Sequence, residues 1–444
     1  MKTDVLVLGS GPAGITAALT AKRRYPERKV TVVRERERCV IPCAIPYIFR
    51  RLDNPEKILI SDKLLKNAGV EILTASATEI DKESKKVILS NREEISYEKL
   101  ILALGSKPRK LGIEGEEKRG VWYIEKDFEH LKKLREHVLS SKHIVLLGGG
   151  FTGVEIAEEL SGIEGKQVTI VEKFPHCLFQ NFDKEFCEEI EAELRKRGVR
   201  ILTSNTVEKI LGSEKVEGIL LSNGERIKAD CVIIAAGSKP NVELAERAGI
   251  KLGKSGAIAV DEHMRTSEHD IYACGDCAEK MDFFTGKPVQ AMLASVATRE
   301  ARIAASNLYG SLRKNNGTLG SFSTTLFNRL FACAGYTEKR AEEEGFETRS
   351  GFATAPSTHP AALGGEELRV KLLFLRKNGI LLGAQVSGPE RAAELVNTLT
   401  LAMERGATVH DLCAAQISTH PLLTPAPTVY PVILAAQEAL SRMQ

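Results

Sequence analysis

Thiols, histidines and carboxylates set beside glycine-rich turns are the groups in this chain that could do chemistry. Nine cysteines occur in 444 residues, and two of them, Cys39 and Cys43, flank Val40-Ile41-Pro42. A thiolate attacks sulfur, and attack is favoured where the thiol pKa is lowered. A helix opening at or just after Cys43 would lower it through the helix dipole; a buried, inert cysteine is the plain alternative. Cys39 reads either as a second thiol that resolves an intermediate on Cys43 or as a neighbour lining its pocket. His420 precedes Pro421. An imidazole titrating near ~6.5 suits protonation of a departing thiolate, and a surface or interface histidine is the alternative. His359 stands in the same Ser-Thr-His-Pro string, at 357–360 as at 418–421.

The glycine turns imply phosphate. Gly9-Ser10-Gly11-Pro12-Ala13-Gly14 follows an apolar run at 4–9 and opens a helical pattern at 14–24. Gly9 permits the turn, Gly11 lets a pyrophosphate reach the backbone, and Gly14 allows close helix–strand packing. The helix N-terminus adds unpaired N–H groups and positive dipole. Gly148-Gly149-Gly150-Phe151-Thr152-Gly153 repeats the device. Its second strand ends at Glu172, about 20 residues past the last glycine, where an acid holds an adenosine ribose 2′-hydroxyl. With no Arg there to accept a 2′-phosphate, NADH is favoured over NADPH. In the first unit the corresponding strand ends in Val33-Arg34-Glu35. Either Glu35 takes the ribose role one residue late, or Arg34 binds in another way.

These residues need a scaffold of alternating strands and helices. Runs at 4–9, 29–33, 143–148 and 167–172 read as buried parallel strands, with helices at 14–24 and 151–161 between them. LILALGSKP at 100–108 and VIIAAGSKP at 232–240 close the two units in similar chemistry. From about 321 the pattern changes to strands at 369–375 and 380–386 around Asn378-Gly379, a tight-hairpin signal, then helices at 389–405 and 431–442.

Composition sets outer limits. The length suggests roughly two to four domains. A net charge of +3 without a basic stretch argues against nucleic acid. No apolar run approaches the ~20 residues that span a bilayer, and the N-terminus turns to glycine too early for a signal peptide. Nine irregularly spaced cysteines do not make a secreted disulfide framework, so a reducing, cytoplasmic setting is expected. Alternating charges at 182–198 read as a solvated helix face. Cys274-Gly275-Asp276-Cys277 closes an apolar strand without a second cysteine or histidine pair, so no metal is expected.

Taken together, GSGPAG, GGGFTGVE, the paired GSKP strands and IYACGDCAE resemble the pyridine nucleotide–disulfide oxidoreductases. Cys39–Tyr47 (CVIPCAIPY) resembles their single-cysteine branch, which includes coenzyme A disulfide reductases, NADH oxidases and persulfide or polysulfide reductases. The resemblance implies an α/β chain with two Rossmann-like dinucleotide-binding domains and a C-terminal α+β dimerisation domain. The expected boundaries are 1–112 with 243–320 for FAD, 113–242 for NAD(P)H, and 321–444 for a homodimer interface. It also implies FAD at Gly9, Gly11, Pro12, Ala13, Gly14, Gly105, Asp276 and Ala297-Thr298, and NAD(P)H at Gly148, Gly150, Gly153, Glu172 and Gly237. Cys43 becomes the redox thiol and His420 a general acid sent into the partner's site. Thr16, Lys22 and Arg23, on the first helix, fall where coenzyme A disulfide reductases hold substrate; a solvated basic face is the alternative. The implied reaction is NAD(P)H-dependent reduction of a disulfide, persulfide or polysulfide, with an O2-consuming NADH oxidase as the second reading. Cys39 replaces a small polar residue of the coenzyme A enzymes, the two Ser-Thr-His-Pro strings replace their tyrosine pair, and no rhodanese-like extension is expected.

Overall fold

The computed structural model describes all residues except 311, 360, 362–364 and 444. The chain divides into two compact units. The first comprises Met1–Gly112, Trp122–Ser140 and Ala236–Thr318; the second comprises Ile113–Val121, Ser141–Ala235 and Leu319–Gln444.

In the first unit, the strand Lys2–Leu8 is apolar on both faces, and Val5, Leu6 and Val7 are fully buried. Each such side chain contributes about 1.5–3 kcal/mol, which favours the middle of a sheet. It lies there, parallel to Val30–Arg34 on one side and to Glu94–Leu102 on the other. Glu71–Thr74 extends one edge, Lys86–Leu89 and Ala77–Asp81 extend the other antiparallel, and Ile271–Ala273 also pairs with Glu94–Leu102. Parallel strands need a crossover. The helix Pro12–Arg24 supplies the first, with Ala17, Ala18 and Ala21 buried. Pro12 suits its first turn, where no N–H is needed.

The expected strand at 100–108 is broken. Gly105 adopts φ +70°, which ends Glu94–Leu102 and starts a separate strand, Ser106–Pro108. Gly237 does the same between Cys231–Ile234 and Ser238–Pro240. The two Ser-Lys-Pro strands then pair antiparallel, Lys107 opposite Lys239.

In the second unit, Arg200–Leu202, Gln167–Val171, His143–Leu147 and Cys231–Ile234 form a parallel run in that order. The C-terminal part is a five-stranded antiparallel sheet: Ser321–Leu326, Arg329–Gly335, Leu381–Pro389, Glu367–Leu375 and Thr348–Pro356. The helix Pro431–Ser441 lies so close that a Cβ on Gly351 would stand 1.9 Å from the Ala435 carbonyl oxygen. The hairpin turns at 376–379 as expected, the Leu375 N–H donating to Ile380 O and the Gly379 N–H to Leu375 O, both at 2.8 Å. Because its second strand runs through Pro389, the helix expected at 389–405 is delayed to Glu394–Glu404.

The acidic helix Lys184–Lys196 also corrects an expectation, because its carboxylates are not simply solvated. Glu189 bonds Arg329, Arg369 (2.6 Å) and Ser387 (2.9 Å) of the C-terminal sheet. Buried Lys371 bridges Asp183 (2.9 Å), Glu185 (2.6 Å) and Glu338 (3.0 Å). A buried ammonium requires such company.

Candidate active site

The first glycine turn separates structural need from ligand room. Gly9 has φ +113°, and a Cβ on it would lie 2.2 Å from the Ala103 carbonyl oxygen. A Cβ on Gly14 would lie 1.9 Å from the Gly9 carbonyl oxygen. Gly11 is different: its φ is −72°, and nothing stands within 4 Å of a Cβ built there. The chain itself does not demand glycine at 11, and the open space before the helix N-terminus suits a pyrophosphate. The second turn repeats the arrangement, with Gly148 at φ +111°, open space at Gly150, and a Gly153 Cβ only 2.0 Å from the Gly148 oxygen.

Around the first turn the fold gathers several of the expected residues. A Cβ on Gly275 (φ +75°) would lie 2.9 Å from Cβ of Ala13 and 3.5 Å from Cβ of Ala297. Next to it, Asp276 accepts from Ser106 Oγ (2.7 Å) and Lys126 Nζ (2.9 Å). Burial pushes this carboxyl up, but Lys126 and the Ser106 hydrogen bond bring it below its ordinary value. Buried Glu300 accepts the Gly275 N–H at 2.9 Å, and Lys280 Nζ donates to the Gly275 oxygen at 2.6 Å and to Glu300 at 3.2 Å. Thr298 turns its hydroxyl to Ser295 O of its own helix. Burial pushes the Cys277 thiol up to about 11 and raises that of Cys274, so neither is a ready thiolate. Lys126, Ser106, Lys280 and Glu300 escaped the sequence reading. Ser106 could have been found from the repeated GSKP; no local pattern marks the other three.

At the second turn, Glu172 is buried and accepts the N–H of Gly149 at 2.6 Å and of Phe174 at 2.8 Å. Neighbouring Lys173 is exposed, its ammonium over the Phe174 ring.

Among the described residues Cys43 is the one exposed cysteine; Cys39 and Cys413 are half-buried, the other six buried, and no disulfide links any of them. The helix that carries it is a seven-residue 3-10 turn, Pro42–Ile48, with Pro46 inside. So short an element has little aligned dipole, and the acidity argument from a helix start loses most of its force. The loop is nonetheless pinned: Ile41 N–H donates to Ile58 O and Ile60 N–H to Cys39 O. The Cys39 Sγ rests 2.7 Å from Ser10 Oγ of the glycine turn. Glu35 is solvent-exposed, just past the end of its strand.

Arg23 faces a groove of about 250 Å³ lined also by Thr20, Arg24, Arg302, Ser306 and Arg313. Thr16 stands one turn before Thr20 and is not part of the lining. The Lys22 ammonium bonds the carbonyls of Pro26 (2.7 Å) and Arg28 (2.9 Å), just past the helix C-terminus. The i, i+4 spacing of Thr20 with Arg24 and of Arg302 with Ser306 could have revealed the groove.

In the second unit, His420 is exposed, its Nδ1 accepting the Leu422 N–H at 3.3 Å and its N–H donating to Thr424 Oγ1 at 3.0 Å. The N–H of His359 donates to Pro421 O at 3.0 Å, so the two Ser-Thr-His-Pro strings meet. Pro360 lies outside the described residues.

Two glycine turns with open space at Gly11 and Gly150, a charge-paired carboxylate at Gly275-Asp276 and an exposed thiol suit a two-dinucleotide redox enzyme. The chain belongs to the pyridine nucleotide-disulphide oxidoreductase family, whose model matches residues 3–301, and the family's dimerisation-domain model matches 322–429. FAD and NAD(P)H are its cofactors. It is similar to the NAD(P)H coenzyme A polysulfide/persulfide reductase of Pyrococcus horikoshii, 33% identical and covering 96% of both chains. It is also similar to an NADH oxidase of Methanocaldococcus jannaschii, 31% identical over 99% of both. Among solved structures, the NAD-dependent persulfide reductase of A. fulgidus matches with TM-score 0.92 at 31% identity, over 100% of this chain and 83% of that one. Among the described residues no helix is long and apolar enough to cross a membrane, and no cluster of three or more potential ligands could hold a metal ion.

Proposed function

We propose that this chain reduces a persulfide, polysulfide or disulfide, carried on coenzyme A or a similar thiol, with electrons from NADH. The observation that carries the reading is the single exposed thiol, Cys43, in a loop whose neighbour Cys39 touches the Gly9–Gly14 turn. Residues 1–112 with 243–320 hold FAD, 113–242 hold NADH, and 321–444 join two copies. Gly9, Gly11, Pro12, Ala13, Gly14, Gly105, Asp276, Ala297 and Thr298 serve FAD; Gly148, Gly150, Gly153, Glu172 and Gly237 serve the nicotinamide nucleotide. FAD, when bound, relays the nicotinamide hydride as two electrons to sulfur. The Cys43 thiolate attacks one sulfur of the substrate, a Cys43 mixed disulfide or persulfide forms, and the other sulfur leaves as thiolate or hydrosulfide. Two electrons then cleave the new S–S bond, return Cys43 to thiolate and release the sulfur it held as the second thiolate or hydrosulfide. His420, exposed in one chain, protonates the leaving group in the partner's site.

The arginine groove favours a phosphorylated substrate carrier. Four guanidiniums, with Thr20 and Ser306, suit phosphate oxygens, and the Pyrococcus relative bears coenzyme A in its name. Nine cysteines without regular spacing fit a reducing cytoplasm. A second reading, O2 as acceptor, has the Methanocaldococcus relative behind it. Anaerobic reduction by NADH followed by challenge with coenzyme A persulfide, coenzyme A disulfide, inorganic polysulfide or O2 tests both. Turnover with O2 alone would replace the sulfur reading.

A further inference from the structure

A dinucleotide-binding unit ordinarily ends its second strand in an acid that holds the adenosine ribose. Here that strand ends in Arg34, and Glu35 beyond it is solvent-exposed. Arg34 is only 7% exposed, a depth at which a guanidinium needs a carboxylate. Its Nη1 donates to Asp62 Oδ1 at 2.6 Å and its Nη2 to Oδ2 at 2.9 Å, a two-pronged pair. The Asp62 side chain keeps 27% exposure. Five residues further on, Cys39 rests its Sγ 2.7 Å from Ser10 Oγ in the glycine turn. A carboxylate has therefore been brought to the strand end from outside the strand, and fixed there.

We propose that Asp62, positioned by Arg34, replaces the missing strand-end acid and accepts the ribose hydroxyls of the FAD adenosine. Each Asp62 oxygen takes one guanidinium N–H and keeps a lone pair for a hydroxyl. The pair is neutral overall, so the carboxylate does not repel the adjacent pyrophosphate as a lone acid would. This inference rests on the reading of Gly9–Gly14 as the FAD turn.

The test titrates apoprotein with FAD, ADP and FMN, since FMN lacks the adenosine ribose. Asp62→Asn is expected to weaken FAD and ADP about tenfold or more, the usual loss for a charge-assisted hydrogen bond, and to leave FMN unchanged. Arg34→Glu combined with Asp62→Asn returns an acid to the strand end and should recover ADP affinity. The proposal is overturned if Asp62→Asn weakens FMN as much as FAD, if the double variant recovers nothing, or if Glu35→Ala alone produces the loss. Gly11→Val separates the two levels, because the backbone there accepts a side chain. If that variant folds and keeps FAD, the reading of the turn itself fails, whatever Asp62 does.

Discussion

The carboxylate of Glu172 accepts the backbone N–H of Gly149 at 2.6 Å, so the acid at the strand end is locked onto the turn it serves. On the proposed assignment of this turn to NADH, a fixed anion there would repel a 2′-phosphate. NADH should exceed NADPH in kcat/KM by about tenfold or more. Equal values for the two nucleotides would refute the assignment, and Glu172→Ala should narrow the gap.

Cys43→Ser should abolish turnover with every sulfur acceptor while NADH still bleaches the flavin absorbance. Cys39→Ser should change the rate only modestly, because Ser can keep the hydroxyl contact at Ser10. A Cys39–Cys43 disulfide in the mass spectrum of the oxidised enzyme would instead make Cys39 a resolving thiol.

Arg23→Gln and Arg302→Gln should raise KM for coenzyme A persulfide roughly tenfold each, with kcat little changed. Inorganic polysulfide, lacking phosphates, should be unaffected. Equal losses with both substrates would assign these arginines to folding.

His420→Ala should slow the acceptor half-reaction by roughly 10²–10⁴-fold, the span of general-acid catalysis, without slowing reduction by NADH. Added imidazole should restore part of the rate. An unchanged acceptor step would remove His420 from the chemistry.

Burial raises the Asp270 carboxyl, but hydrogen bonds from Lys85, Lys99 and His269 outweigh it and hold the group well below the usual range. A depressed folded-state value stabilises above the unfolded value and is lost as pH falls through the acid range. Asp270→Asn should therefore lower Tm at pH 7, and the difference should shrink below about pH 4. A pH-independent difference would exclude this linkage.

Much of this was legible in the sequence wherever chemistry and backbone need coincide. Gly9 and Gly14 announce the turn because any side chain there strikes a carbonyl oxygen. The repeated GSKP announced two related units, though not that the copies pair with each other, since strand pairing across 130 residues leaves no local trace. The Cys43 helix was misjudged because Pro42 and Pro46 favour a short 3-10 turn over a full helix. Lys126 could not be found, because its role depends on Asp276, 150 residues away. Arg34 marked a departure, but its partner at Asp62 required the fold.

The Lys371 cluster governs how this protein can be recombined with its relatives. The ammonium answers carboxylates from Asp183, Glu185 and Glu338, while Glu189 engages Arg329 and Arg369. A chimera that takes residues 141–235 from one parent and 319–444 from another parts buried Lys371 from Asp183 and Glu185, leaving it Glu338, and parts Glu189 from Arg329 and Arg369. Crossovers that keep those two segments together preserve every pair. The inheritable block is thus discontinuous in sequence, although family motifs alone would suggest a cut near residue 320.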